Sequence, residues 1–266
     1  MIARQIVPVK SWITPSKLPG VDFVINPYVG CPHKCLYCYA AFMKTFTNHS
    51  EDWGDFLDVK HCDKPLSTKR LDGKRIVISS VTDPYNAFEK QYRITRHILE
   101  QLQGCQADIT IITKSDLILR DIDLIGQLEN VEVAFSLNSL DDNFRRHFEP
   151  RAPTATRRLD ALRQIHEAGI KTVLFMSPIF PGITDFQEIV DASRQWVDTY
   201  WFENLNLNNT ARNPVARAIG QYYPELIPVY RAIYRDGDKS YWYRLMDDIE
   251  TYCIENRIAY RNVFHP

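Results

Sequence analysis

Six short apolar runs rich in β-branched residues recur along the chain, at 23–28, 75–80, 108–113, 131–136, 172–177 and 200–204. They do not alternate with polar residues, so they suit strands covered on both faces, as in a parallel sheet. Between them lie stretches with helical spacing, at 88–103, 117–128, 154–168 and 185–197. Ser115 and Asp116 offer an N-cap to the second, Gly169 a C-cap to the third, and Asp185 an N-cap to the fourth. Repeated βα units with right-handed crossovers wind into an open or closed barrel. The expected fold is therefore α/β, a partial (βα)6 TIM-type barrel over 1–205. A helical, aromatic-rich C-terminal extension over 206–266 is expected to pack on it with two helices. It carries Tyr222, Tyr223, Tyr230, Tyr234, Tyr241, Trp242 and Tyr243. Residues 44–74, charged and poor in apolar runs, are expected to form a surface excursion.

Composition removes several classes of function. With 32 basic and 33 acidic side chains, the net charge of −1 gives no bulk attraction for nucleic acid. No run of 18 apolar residues suggests a membrane span, and residues 1–10 lack a secretory apolar stretch. A cytoplasmic location is the expectation. Six cysteines are too few for a disulfide scaffold in 266 residues. Cys62, Cys105 and Cys253 are scattered, but Cys31, Cys35 and Cys38 fall together. In a reducing compartment such a group points to metal or redox chemistry.

The group reads Gly30-Cys31-Pro32-His33-Lys34-Cys35-Leu36-Tyr37-Cys38-Tyr39, directly after the first expected strand. Thiolates at C-x3-C-x2-C spacing can hold one cuboidal iron–sulfur cluster and leave one iron open. The alternatives are a zinc site completed by His33 or Cys62, or three unrelated core cysteines. Zinc sites usually pair C-x2-C with a second such pair, which this chain lacks.

The spacing resembles the signature of the radical S-adenosylmethionine (radical SAM) superfamily. Further stretches resemble its spore photoproduct lyase-like branch: 80–85 with Glu89, Thr95 and Arg96, then 112–115, 134–138, 149–153 with Arg158, and 177–182. These stretches fall at or just beyond expected strand ends, where parallel barrels place their chemistry. The resemblance implies a [4Fe–4S] cluster on Cys31, Cys35 and Cys38, with S-adenosyl-L-methionine on the open iron. It further implies adenine packing at Tyr39, methionine ammonium binding by Thr82 and Asp83, and methionine carboxylate binding by Lys114. Ser136 is implied for the ribose, and Arg158 as a second carboxylate contact. A flavodoxin- or ferredoxin-like reductant is implied as partner.

Each residue also has a plain structural alternative. Lys114 and Arg158 can be solvated charge, Thr82 and Asp83 a turn and cap before Pro84, and Ser136 a cap for a helix starting near Asp141. His33 is expected exposed or backbone-bonded, and Tyr37 packs or relays a radical. Cys62 and Cys105 are expected to be structural. The lyase itself carries a hydrogen-donating cysteine where an ungapped alignment puts Ser80, so the resemblance does not extend to thymine-dimer repair. The expected function is hydrogen abstraction from an unidentified substrate, nucleic acid or nucleotide-like on one reading, a peptide or small metabolite on another. A non-enzymatic iron–sulfur or zinc regulator is the third. Arg145, Arg146, Arg151, Arg157, Arg158 and Arg163 form a local basic cluster that suits phosphate, and the C-terminal aromatics suit base stacking.

Overall fold

The computed structural model describes residues 2–207 and 209–265. In chain order the strands are β1 (Ala3–Pro8), β2 (Ile13–Pro15), β3 (Phe23–Ile25), β4 (Tyr28–Val29), β5 (Phe56–His61), β6 (Arg75–Ile78), β7 (Asp108–Thr113), β8 (Asn130–Ser136), β9 (Lys171–Ile179), β10 (Thr199–Asn204) and β11 (Tyr260–Asn262). Eight form one sheet in the order β11-β10-β9-β8-β7-β6-β3-β2. The pairs from β3 through β10 to β11 are parallel, and only β2 is antiparallel to its neighbour. Strands fall at all six expected positions in sequential order, the parallel barrel arrangement, but the first run splits: Phe23–Ile25 is β3 of this sheet, and Tyr28 begins β4 of a second one.

Side chains along the strands alternate between two apolar environments. Ile109, Ile111, Val133, Phe135, Leu174, Met176, Tyr200 and Phe202 are buried in the core that also holds Ile98, Leu99, Leu162, Ile165 and Val190 of the helices. The intervening residues face the concave side. Strand register sets Ser136 beside Phe175 and Phe175 beside Trp201. That second face is partly buried and carries apolar residues such as Ile112, Phe175 and Trp201, which is why these strands lack clean polar alternation.

The helices depart from expectation in detail. The 88–103 segment is two helices, Glu89–Tyr92 and Ile94–Gln101, broken at Arg93, which is left-handed. The break lets the buried Glu89 carboxylate accept the Thr95 and Arg96 amides at 3.1 and 3.3 Å, capping the second helix. The 117–128 segment begins as a 3₁₀ turn, Asp116–Asp121, before the helix Ile122–Ile125. Ala155–Glu167 and Phe186–Ser193 are capped by Thr154 and Asp185. The C-terminal region has three helices rather than two, Asn209–Tyr222, Ile227–Tyr234 and Ser240–Glu255. It then adds β11 to the sheet edge.

The 44–74 segment is not a surface excursion. It contains β5, which pairs with β1 in parallel and with β4 in antiparallel fashion, making a second, three-stranded sheet. Phe56, Leu57, Asp58 and Val59 of β5 are buried. Its pairing partner lies fifty residues upstream, so no local pattern marks it. Among the described residues no helix is long and apolar enough to cross a membrane.

Candidate active site

The three-cysteine loop leaves β4 through Gly30, whose φ is +89°. A Cβ there would sit 2.4 Å from the Phe56 carbonyl oxygen, so only glycine lets the loop lie against β5. Cys31, Cys35 and Cys38 are free and partly buried. Local turns shape the loop, with Lys34 N–H donating to Cys31 O and Cys38 N–H to Cys35 O, both at 3.2 Å. Two longer-range bonds pin it: Leu36 N–H donates to Phe148 O at 2.9 Å, and Arg151 N–H to His33 O at 3.3 Å.

Burial raises all three thiol pKa values. Cys31 is raised further by Asp83 and the other two thiols. Cys35 is pushed up to about 12, by burial and then by Glu149. The Lys114 ammonium works against the rise at Cys35 and Cys38. Thiols in such a place lose their protons to a bound metal centre, whose positive charge supplies what the protein lacks. Among the described residues no three His, Cys, Asp or Glu side chains converge tightly enough to hold a single ion.

The strand ends gather around this loop. Thr82 Oγ1 donates to Gly30 O at 2.6 Å. Asp83, 5% exposed, accepts from Tyr85 N–H at 2.9 Å and Thr113 Oγ1 at 2.8 Å on one oxygen. The other oxygen accepts Lys114 N–H at 2.8 Å and lies 3.4 Å from His33 Nδ1. A carboxylate offers about four acceptor positions, so those of Asp83 are filled. Lys114 Nζ forms no hydrogen bond or ion pair among the described residues and lies 5.8 Å from the centre of the Tyr37 ring. Ser136 is buried at the end of β8. Tyr39, half exposed, donates its hydroxyl to Ser80 O.

Arg158 and His33 differ from both solvated readings. Arg158 is 2% exposed, paired with Glu149. Its other donors reach Ser136 O at 3.0 Å and Pro153 O at 2.9 Å. His33 is buried, and burial lowers its pKa. Tyr37, between the second and third cysteines, donates its hydroxyl to the other Glu149 oxygen and accepts from Asn138 Nδ2 at 3.0 Å. Burial alone would raise the Glu149 pKa. Arg158 and Lys114, with hydrogen bonds from Arg158 and Tyr37, outweigh burial and hold it at about 2.

The profile of the Radical SAM superfamily matches residues 25–193, more than half of the chain. The chain belongs to the radical SAM superfamily. It is 35% identical over 96% of its length to the protein MJ0683 of Methanocaldococcus jannaschii, covering 94% of that chain. It is 28% identical over 81% of its length to Rv2578c of Mycobacterium tuberculosis, covering 68% of it. Solved folds agree. A spore photoproduct lyase complexed with a dinucleoside spore photoproduct matches with a TM-score of 0.58 at 20% identity, over 83% of this chain and 66% of the lyase. Streptococcus suis SuiB bound to S-adenosylmethionine matches at 0.59 and 17% identity, over 91% of this chain and 50% of SuiB.

Several residues of this radical SAM site escape a sequence reading. Asn26 accepts from the amides of Ser80 and Val81 at 2.9 and 3.1 Å and donates to Ser80 Oγ at 3.3 Å, fixing the end of β6. Glu149, in the 149–153 stretch, has no role that the sequence pattern marks. Glu203 receives the Ser177 hydroxyl, and burial raises its carboxyl pKa. The arginine cluster is neutralised: Arg145 and Arg146 pair with Asp142, Arg151 with Asp55, Arg157 with Asp116, Arg158 with Glu149, and Arg163 with Asp160 and Glu167.

Proposed function

We propose that this radical SAM enzyme holds one [4Fe–4S] cluster on Cys31, Cys35 and Cys38 and abstracts a hydrogen atom from its substrate. When bound, the cluster supplies the electron that cleaves S-adenosylmethionine to methionine and a 5′-deoxyadenosyl radical. The observation that carries the reading is an unpaired Lys114 ammonium beside a loop of three free thiols. A partly buried cation with no carboxylate or carbonyl acceptor of its own is poised for an anionic ligand, and the methionine carboxylate is such a ligand.

The remaining residues take roles that their contacts permit. Thr82 keeps acceptor lone pairs for the methionine ammonium, while Asp83, with its oxygens filled, acts on that cation through its charge. Ser136 offers its hydroxyl to the ribose. Tyr39 closes over the adenine end. Arg158 supports this wall through the Ser136 carbonyl rather than touching the cofactor. The concave side beyond them is lined by Phe175, Trp201, Ser177 and Glu203, with Phe175 and Trp201 edge to face at 5.5 Å. We assign substrate contact to this wall.

A nucleic acid or nucleotide-like substrate and a peptide or small metabolite both suit an aromatic wall with one carboxyl. One solved neighbour holds a dinucleoside photoproduct and another a precursor peptide. The paired arginines supply no free phosphate-binding charge. Reduction would come from a flavodoxin- or ferredoxin-like protein in a cytoplasmic setting.

Anaerobic reconstitution with iron and sulfide should load about one cluster per chain. Dithionite should then release 5′-deoxyadenosine. Cleavage retained in a Cys31→Ala, Cys35→Ala, Cys38→Ala variant overturns the reading, and zinc without sulfide on elemental analysis replaces it with the regulator. Lys114→Ala should lower S-adenosylmethionine affinity about tenfold or more with cluster content unchanged, the loss of one charge-assisted contact.

A further inference from the structure

The edge of the large sheet carries a charge that nothing in the chain answers, beside the wall assigned to substrate. β11 is the last strand of that sheet and runs parallel to β10, with Arg261 in register with Trp201 and Asn262 with Phe202. The Arg261 guanidinium lies over the Trp201 ring, 5.6 Å from its centre, and Trp201 meets Phe175 edge to face at 5.5 Å. Arg261 is exposed and, like Lys114, forms no hydrogen bond or ion pair among the described residues. In this it differs from the arginines at 145–163, each of which has a carboxylate.

The edge strand is held in place beyond its own pairing. Val263 N–H donates to Phe202 O at 2.9 Å. Asn204, 5% exposed, clasps the His265 backbone with both atoms of its amide, accepting His265 N–H at 2.7 Å and donating to His265 O at 3.3 Å. Stacking on the indole restricts the guanidinium further and leaves its N–H edge free to donate.

Glu203 stands two residues beyond Trp201 on the same face, about 7 Å along the strand. One of its oxygens accepts the Ser177 hydroxyl, and the other has no hydrogen bond among the described residues. A cation and an acceptor thus stand unpaired at the two ends of one aromatic surface. A ligand satisfies both if it brings an anionic group to one end, a planar ring to the middle and an N–H to the other. The guanidinium fork fits the paired oxygens of a phosphate or a carboxylate.

We infer that Arg261 anchors an anionic group of the substrate, phosphate or carboxylate, while the ring beside that group packs on Phe175 and Trp201 and gives an N–H to Glu203. The inference rests on the assignment of this wall to substrate in the function proposed above. It makes Arg261 a specificity-determining residue, distinct from Lys114, which serves the cofactor.

The test is equilibrium dialysis of the reconstituted protein, with S-adenosylmethionine bound, against two pairs of probes. Uridine 5′-monophosphate against uridine reads a phosphate, and N-acetyltryptophan against N-acetyltryptophanamide reads a carboxylate. In at least one pair the charged probe should bind about tenfold tighter than the neutral one, the worth of one charge-assisted contact. The gain should vanish in Arg261→Gln and be kept in part by Arg261→Lys. The pair that responds identifies the source of the anion. No gain in either pair, or a gain that survives Arg261→Gln, overturns the inference. So does a loss of S-adenosylmethionine affinity in Arg261→Gln, which would place the guanidinium at the cofactor. Failure of the wild-type protein to take up any cluster would instead overturn the function proposed above.

Discussion

Two regions of the molecule meet at the cysteine loop, and they were built differently. The ends of β6, β7 and β8 present Thr82, Asp83, Lys114 and Ser136, each placed by its own strand and recognisable from its position after an apolar run. The second region is the turn 52–55 with β5 and β1, joined from behind by Glu149 and Arg151. Its residues touch the loop from the side away from the strand ends. The first region offers groups to a ligand. The second makes the loop rigid, which matters because a ligating loop must hold its geometry when the ligand is absent or changes charge.

The largest effect is expected at Glu149. Glu149→Gln leaves Arg158 charged and buried with one acceptor lost. The expected cost is about 3–5 kcal/mol, read as a lower urea midpoint. Cluster uptake should fall with it, because Tyr37 loses its charged acceptor. A variant as stable as wild type would show that the buried pair does not hold the loop. The same pair has a pH signature. Its folded pKa of about 2 lies below the unfolded carboxylate value of ~4.3, so its stabilisation is present above ~4.3 and is lost as pH falls toward 2. Acid titration of stability should show a loss of order 3 kcal/mol in that window, absent in Glu149→Gln.

Gly30→Ala attacks the contact between loop and β5. The positive φ and the 2.4 Å approach to the Phe56 carbonyl should together destabilise by roughly 1–3 kcal/mol or more. The partner change Phe56→Ala should not rescue it, since the clash is with backbone. Asp55→Asn loosens this contact through two partly exposed ion pairs, with Lys34 and Arg151, and should cost only about 1 kcal/mol. A large loss of cluster content without matching loss of stability would show that this turn serves the loop more than the fold.

The smallest effect is expected at His49, which bonds Asp58 at 2.7 Å and Glu51 at 3.2 Å and stacks on Phe56. Burial lowers its pKa, but the two carboxylates outweigh burial and the net shift is upward. Its stabilisation is therefore present below the unfolded value of ~6.5 and is lost as pH rises through the higher folded value. His49→Gln should flatten that part of the urea-midpoint profile. An unchanged profile would mean that the β1–β5 sheet does not depend on this charge.

The sequence shows why one region is legible and the other is not. Apolar runs of five or six residues announce strands of a parallel sheet, and Gly169, Thr154 and Asp185 mark helix ends within one turn of where they fall. Strand order then follows from short right-handed crossovers. β5 carries charged residues, and its Leu57 and Val59 pack with Tyr28 of β4 and with Phe88, Tyr92 and Ile94, which no local pattern links to it. The break at Arg93 was hidden for a similar reason, since the cap that causes it is Glu89 reaching across the junction.

By itself, then, the sequence determined the parallel sheet and the place of Cys31, Cys35 and Cys38 just after its first apolar run, because both are properties of spacing over a few residues. The tertiary structure decided what surrounds those thiols. Glu149 meets Tyr37 from 112 positions away, Asn26 fixes the end of β6, and the turn entering β5 sets Asp55 against Lys34 and Arg151. Buried ion pairs and donors find their partners only when the chain closes on itself. The arginine cluster teaches the same thing in reverse, since each of six neighbouring positive charges in sequence found a carboxylate in space.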